Sequence, residues 1–104
     1  MHLIRVVIMS FHPDKTEAFE KIFSEKYQLI HSFDGCVSVR LLHDVSRPGI
    51  YVTLSEWLSE SHLEAYRKST LFAETWTKTK ALFNAPPQAF SLTASHFSDK
   101  QKNK

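Results

Sequence analysis

The sequence predicts an α+β fold, the ferredoxin-like βαββαβ arrangement of one antiparallel sheet with helices on one face. Three observations predict it. The apolar residues switch along the chain between a spacing of two and a spacing near 3.6. The switches run strand, helix, strand, strand, helix in two pieces, strand. Proline, glycine or hydroxyl residues punctuate the junctions.

The first strand spans Leu3 to Phe11, a run of β-branched and apolar residues that Pro13 ends. Asp14 followed by Glu17 has the spacing of a capping box. Phe19, Ile22, Phe23 and Ile30 then recur at helical spacing, giving a helix from Asp14 to His31 that stops before the turn Asp34–Gly35. Cys36 to Leu42 alternates, with Val37, Val39 and Leu41 opposed to Cys36, Ser38, Arg40 and Leu42. Pro48–Gly49 turns the chain, and Ile50 to Trp57 alternates again, so the two runs form a hairpin. Ser59 and Ser61 offer caps for about two helical turns through Arg67. Ser69 and Thr70 offer caps for a second piece from Leu71 to Phe83, striped with Phe72, Trp76, Leu82 and Phe83. Pro86 and Pro87 end that piece, and Ala89 to Phe97 alternates as the last strand. Residues 1–97 read as a single domain, and residues 98–104 as a disordered polar tail.

Composition narrows the function. The net charge of +2 is carried entirely by the last six residues, with three lysines against one aspartate. The body is therefore neutral, and no nucleic-acid partner is expected. One cysteine excludes an internal disulfide framework and a Cys-rich zinc site. The six histidines never fall at i, i+4, and no H-E-x-x-H occurs, so no metal site is expected. Two glycines cannot build a dinucleotide or P-loop cradle. No apolar run reaches the ~18 residues of a membrane span, and no leader is legible at the start. These features together suit a cytoplasmic protein that does not engage membranes.

Two helices cover only one face of a four-stranded sheet. The first strand is apolar on both sides, Ile4, Val6 and Ile8 against Leu3, Val7 and Met9. A strand of that kind requires cover on both faces, and a second copy is the economical source. A homodimer packed through the open sheet face is therefore expected. The second face of the remaining strands reads as mixed, with Arg40, Tyr51, Thr53, Ser55, Trp57, Ser91 and Thr93. Apolar walls with a few hydroxyls suit a small-molecule pocket there, although interface or solvent-facing positions would look the same.

Three segments carry a family resemblance: Phe11 to Phe19, Phe33 to Cys36, and Thr53 to Trp57 followed by Leu63 to Ser69 and Phe72. Taken in order over residues 3–97, they resemble the antibiotic biosynthesis monooxygenase family. The resemblance implies a dimeric α/β barrel of two ferredoxin-like sheets. It also implies oxygenation of a small aromatic or quinol-like substrate by O₂, without metal, flavin or other cofactor. Haem-degrading relatives resemble one another in a first-strand Asn and a late His, and the positions that match here are Val7 and Trp76. Neither serves haem iron. Where many members carry a His, this chain has Tyr66, which keeps a donor and a ring but loses a neutral-pH base.

For such chemistry the catalytic candidates are Tyr66 and Trp76. The substrate-binding candidates are Arg40, Tyr51, Thr53, Trp57 and Phe72, the aromatic residues as walls and Arg40 for an anionic oxygen. Each has a plainer reading. Phe72 and Trp76 at i, i+4 also make a core stripe, Trp57 a packing anchor, and Arg40 an interface or surface charge. Two other functions fit the same residues: a non-catalytic dimeric module that binds a small ligand, and an isomerase or detoxifying enzyme on a small carbonyl compound.

Overall fold

The computed structural model describes residues 2–95 and residue 97. The elements are β1 (Leu3–Ser10), α1 (Thr16–His31), β2 (Cys36–His43), β3 (Ile50–Trp57), α2 (Glu60–Arg67), α3 (Thr70–Lys80) and β4 (Gln88–Leu92). The four strands form one antiparallel sheet in the order β2-β3-β1-β4. The predicted ferredoxin-like α+β fold is the fold observed.

Local chemistry explains most boundaries. Ser59 and Ser69 cap α2 and α3, each hydroxyl accepting a backbone N–H from the first turn, His62 and Phe72 respectively. Gly35 lies at φ +87°, and a Cβ there would fall 2.3 Å from the His62 ring, so the β2 entry and the start of α2 pack through a glycine. Gly49 closes the hairpin beside Phe11, whose N–H donates to the Gly49 carbonyl at 2.9 Å.

Three local expectations are corrected. Asp14 and Glu17 form no capping box: Pro13–Lys15 is a separate 3₁₀ turn, and α1 starts after Lys15 without a side-chain cap. The second helical piece ends at Lys80 rather than Phe83, because the chain turns there to bring Phe83 into a bridge with Phe11. The last strand is Gln88–Leu92 and does not run on from there, since the partner strand β1 is nearly exhausted where Ile4 faces Leu92. The expected tail, residues 98–104, lies outside the described residues.

The largest correction concerns faces. Across β1 and β3 the register pairs Met9 with Tyr51, Val7 with Thr53, Arg5 with Ser55 and Leu3 with Trp57, so these residues share one face. The core cluster of Met9, Phe11, Phe19 and Tyr51 lies on that side, with Phe23 of α1 and Leu41 packed against it. The helices therefore cover the face that carries the hydroxyls and aromatic rings. The open face carries Ile4, Val6 and Ile8 of β1, Val52 and Leu54 of β3, and Phe90 and Leu92 of β4, with Arg40, Glu56 and Gln88 among them. No described helix packs on it, and Phe90 and Leu92 are 42% and 47% exposed. A register shift between Cys36 and Ser38 further moves Cys36 onto the helix side, opposite Trp57.

Candidate functional site

Helices and sheet do not close fully on each other. Between them lies a cavity of about 280 Å³. Its floor is built from the helix-facing positions of the two central strands, Arg5, Val7 and Met9 of β1 and Thr53, Ser55 and Trp57 of β3. Tyr66 and Arg67 of α2, with Phe72 and Trp76 of α3, wall it on the helix side.

The walls are a continuous series of rings. Trp57 stacks on Tyr66 with centroids 4.9 Å apart, and Tyr66 meets Phe72 edge-on at 5.3 Å. Phe72 lies nearly parallel to Trp76 at 5.9 Å, as i, i+4 spacing on α3 dictates. Trp76 in turn meets Phe83 edge-on. Such edge-to-face and offset contacts hold rings in fixed orientations. A flat ligand therefore meets preset surfaces.

Polar groups are few and mostly committed. The Trp57 indole N–H donates to Ser55 Oγ at 3.0 Å. Thr75 and Thr79 donate their hydroxyl hydrogens to the carbonyls of Leu71 and Thr75, both at 2.8 Å, which leaves their oxygens only as acceptors. Tyr66 is different. Burial, helped by the nearby Cys36 thiol, pushes its phenol up to about 12, so it stays protonated and acts as a donor. Burial also raises the Cys36 thiol, whose Sγ donates to the Ser38 carbonyl, which keeps it from acting as a ready nucleophile. Among the described residues the lining contains no His, Asp or Glu.

Five of the seven predicted site residues converge here: Thr53, Trp57, Tyr66, Phe72 and Trp76. Arg40 does not. It pairs with Leu54, which pairs in turn with Val6, and so it lies on the open face. Tyr51 shares the helix-covered face but is buried in the neighbouring cluster, between Phe11 and Phe19 and under a stacked His43, with its hydroxyl donating to the Glu20 carboxylate. Sequence reasoning missed Arg5. Its guanidinium lines the cavity, Nη1 donates to Ser91 Oγ at 3.1 Å, and burial, followed by the neighbouring Arg67, lowers its pKa. The signal was present, as one cation in an otherwise apolar strand on the side of Leu3, Val7 and Met9. Among the described residues there is no cluster of three or more His, Cys, Asp or Glu placed to hold a metal ion.

The Tyr66 phenol gives a pH prediction. An unfolded tyrosine ionises near pH 10. From about pH 10 to 12 the unfolded chain has thus lost a proton that the native chain retains, and stability falls as pH rises. Below pH 10 this contribution is constant. Replacing Tyr66 with Phe removes at most about 2–3 kcal/mol of that alkaline loss. Urea unfolding at pH 9 and pH 11 measures it, and parallel losses in wild type and variant would show that the phenol is not responsible.

A family model described as antibiotic biosynthesis monooxygenase matches residues 2–78. No curated protein matches the chain significantly. The fold is similar to that of several solved structures. A conserved protein from Methanosarcina mazei Go1 superposes with a TM-score of 0.87 at 17% identity, over 91% of this chain and 94% of that one. Rv0793 from Mycobacterium tuberculosis gives 0.85 at 17% identity, over 95% and 100%. SnoaB, a cofactor-independent oxygenase from Streptomyces nogalater, gives 0.82 at 19% identity, over 95% and 98%. No described helix is long and apolar enough to cross a membrane.

Proposed function

Because this chain belongs to the antibiotic biosynthesis monooxygenase family, we propose that it oxygenates a small aromatic or quinol-like substrate in the helix–sheet cavity, without metal or flavin. In the balanced reaction a ring C–H of the quinol becomes C–OH and its two hydroxyls become carbonyls. One atom of O₂ enters the product and the other leaves as water, and the substrate supplies all four electrons.

The observation that carries the reading is the cavity itself, about 280 Å³ walled by Trp57, Tyr66, Phe72 and Trp76. That volume is just below the roughly 300–1,000 Å³ of drug-sized ligand pockets, which suits one or two fused rings. Phe72 and Trp76 hold the ring, and the apolar lining excludes water from the electron-rich substrate and O₂. The Tyr66 hydroxyl donates to the substrate oxygen as it gains negative charge. Among the described residues no His, Asp or Glu lines the cavity, so no side chain there is a ready neutral-pH base. The substrate must therefore ionise by its own acidity, as polyphenols do. The carbonyl isomerase reading needs a positioned base and loses support for the same reason. We further propose that the chain acts in the cytoplasm as a homodimer joined through the open sheet face.

Oxygen consumption with a naphthohydroquinone, above the uncatalysed rate, tests the reading. Loss of a single oxyanion donor typically costs about 10²-fold or more in kcat, so Tyr66→Phe should slow turnover by that order with the fold retained. Trp76→Ala should raise KM. Uptake unchanged in both variants would overturn the assignment. A substrate that raises Tm in the wild type without any oxygen uptake would select the second reading, a non-catalytic binding module, which a lining without His, Asp or Glu among the described residues also favours.

A further inference from the structure

The cavity is cationic at one end and apolar elsewhere. Arg5 projects from the sheet floor, flanked in register by Ser55 on β3 and Ser91 on β4. Arg67 reaches the same cavity from α2. The two guanidiniums are close enough that Arg67 lowers the pKa of Arg5. The Glu64 charge partly offsets this effect on Arg5, but its carboxylate pairs with Arg67 at 3.5 Å. Among the described residues Arg5 makes no ion pair, and its one side-chain hydrogen bond goes to a neutral hydroxyl. A partly buried cation without a directly paired anion is costly, and one kept at a cavity can be matched by a ligand anion.

Resting on the oxygenase reading of this same cavity, we propose that the substrate carries a carboxylate on its ring, and that Arg5, backed by Arg67, selects it. A bare phenol ionises near pH 10 and would leave Arg5 without a paired anion at neutral pH. A carboxylate is charged throughout. Its two oxygens also match the planar fork of N–H donors that Arg5 retains beyond its bond to Ser91. The rest of the ligand is then drawn away from the charge, toward Phe72 and Trp76. This orients the ring along the cavity, with the hydroxyl next to the carboxylate near the floor serines.

Calorimetric titration of the full chain with 1-hydroxy-2-naphthoate and with 1-hydroxy-2-naphthamide tests it, because the two differ in charge and hardly in shape. The carboxylate should bind about 10- to 100-fold more tightly, the range of a charge-assisted pair. Arg5→Gln should abolish the preference, and Arg5→Lys should restore part of it, since lysine keeps the charge and loses the fork. Arg67→Gln should weaken the preference a few-fold. Equal affinities in the wild type, or a preference that Arg5→Gln leaves intact, would overturn the proposal. A wild type that prefers the carboxylate but consumes no oxygen overturns the oxygenase reading and leaves this one standing. Oxygen uptake with neutral phenols and no carboxylate preference does the reverse.

Discussion

Replacing Trp57 with Ala is expected to cost about 3–5 kcal/mol, enough to lower Tm by 15 °C or more in a domain of this size. Trp57 is fully buried. Its ring stacks on Tyr66, meets Phe33 edge-on at 6.4 Å, and donates its N–H to Ser55. Alanine removes all three contacts at the point where β3 hands over to α2, and the void opens directly into the cavity. Trp57→Phe separates the roles. It keeps a ring against Tyr66 but loses the bond to Ser55 and leaves a smaller void, so it should cost about 1–3 kcal/mol. Chemical denaturation gives both values. Similar losses for the two variants would assign the stability to the indole N–H rather than to the stack.

The second large effect is expected on the open face. Leu54 lies on central strand β3 between Val6 of β1 and Arg40 of β2. No described element covers it. In an isolated protomer Leu54→Lys places its charge in water at little cost. In a sheet-to-sheet dimer it buries an ammonium against apolar side chains, which costs several kcal/mol per copy. Sedimentation should find the wild type near 24 kDa, about twice the 12.0 kDa chain, and the variant near the chain mass. A wild type that sediments at 12.0 kDa would sink the dimer. A variant that stays dimeric would move the interface elsewhere.

The residue spacings made β1, α1 and the β2–β3 hairpin legible, because each carries a strong period and a local stop signal. Ser59 and Ser69 were legible as caps for a similarly local reason. Phe72 and Trp76 were readable as one stripe, since i and i+4 share a helix face wherever the helix sits. The Asp14–Glu17 capping box failed because Pro13 draws its neighbours into a 3₁₀ turn of their own. Arg5 was overlooked because a lone cation in a strand is ordinarily an edge or solvent residue. Only its neighbours in space, Ser91, Arg67 and the cavity, give it a role.

The sequence by itself determined the strand and helix order, and with it the ferredoxin-like sheet. It also determined that Tyr51, Thr53, Ser55 and Trp57 share one side of a strand, since a period of two admits no other grouping. What it left open was which side of the sheet the helices occupy. Alternation sorts residues into two sets and assigns neither to the interior, and one slip such as that at Cys36–Ser38 transfers a residue between them. The tertiary structure decided it. The chain returns its helices over the face of Met9, Thr53 and Trp57. The hydroxyls and rings expected on the open face thus became a cavity within the protomer. Arg40 was left outside, Arg5 was brought in, and the aliphatic side chains of Ile4, Val6, Ile8, Val52 and Leu54 were left uncovered.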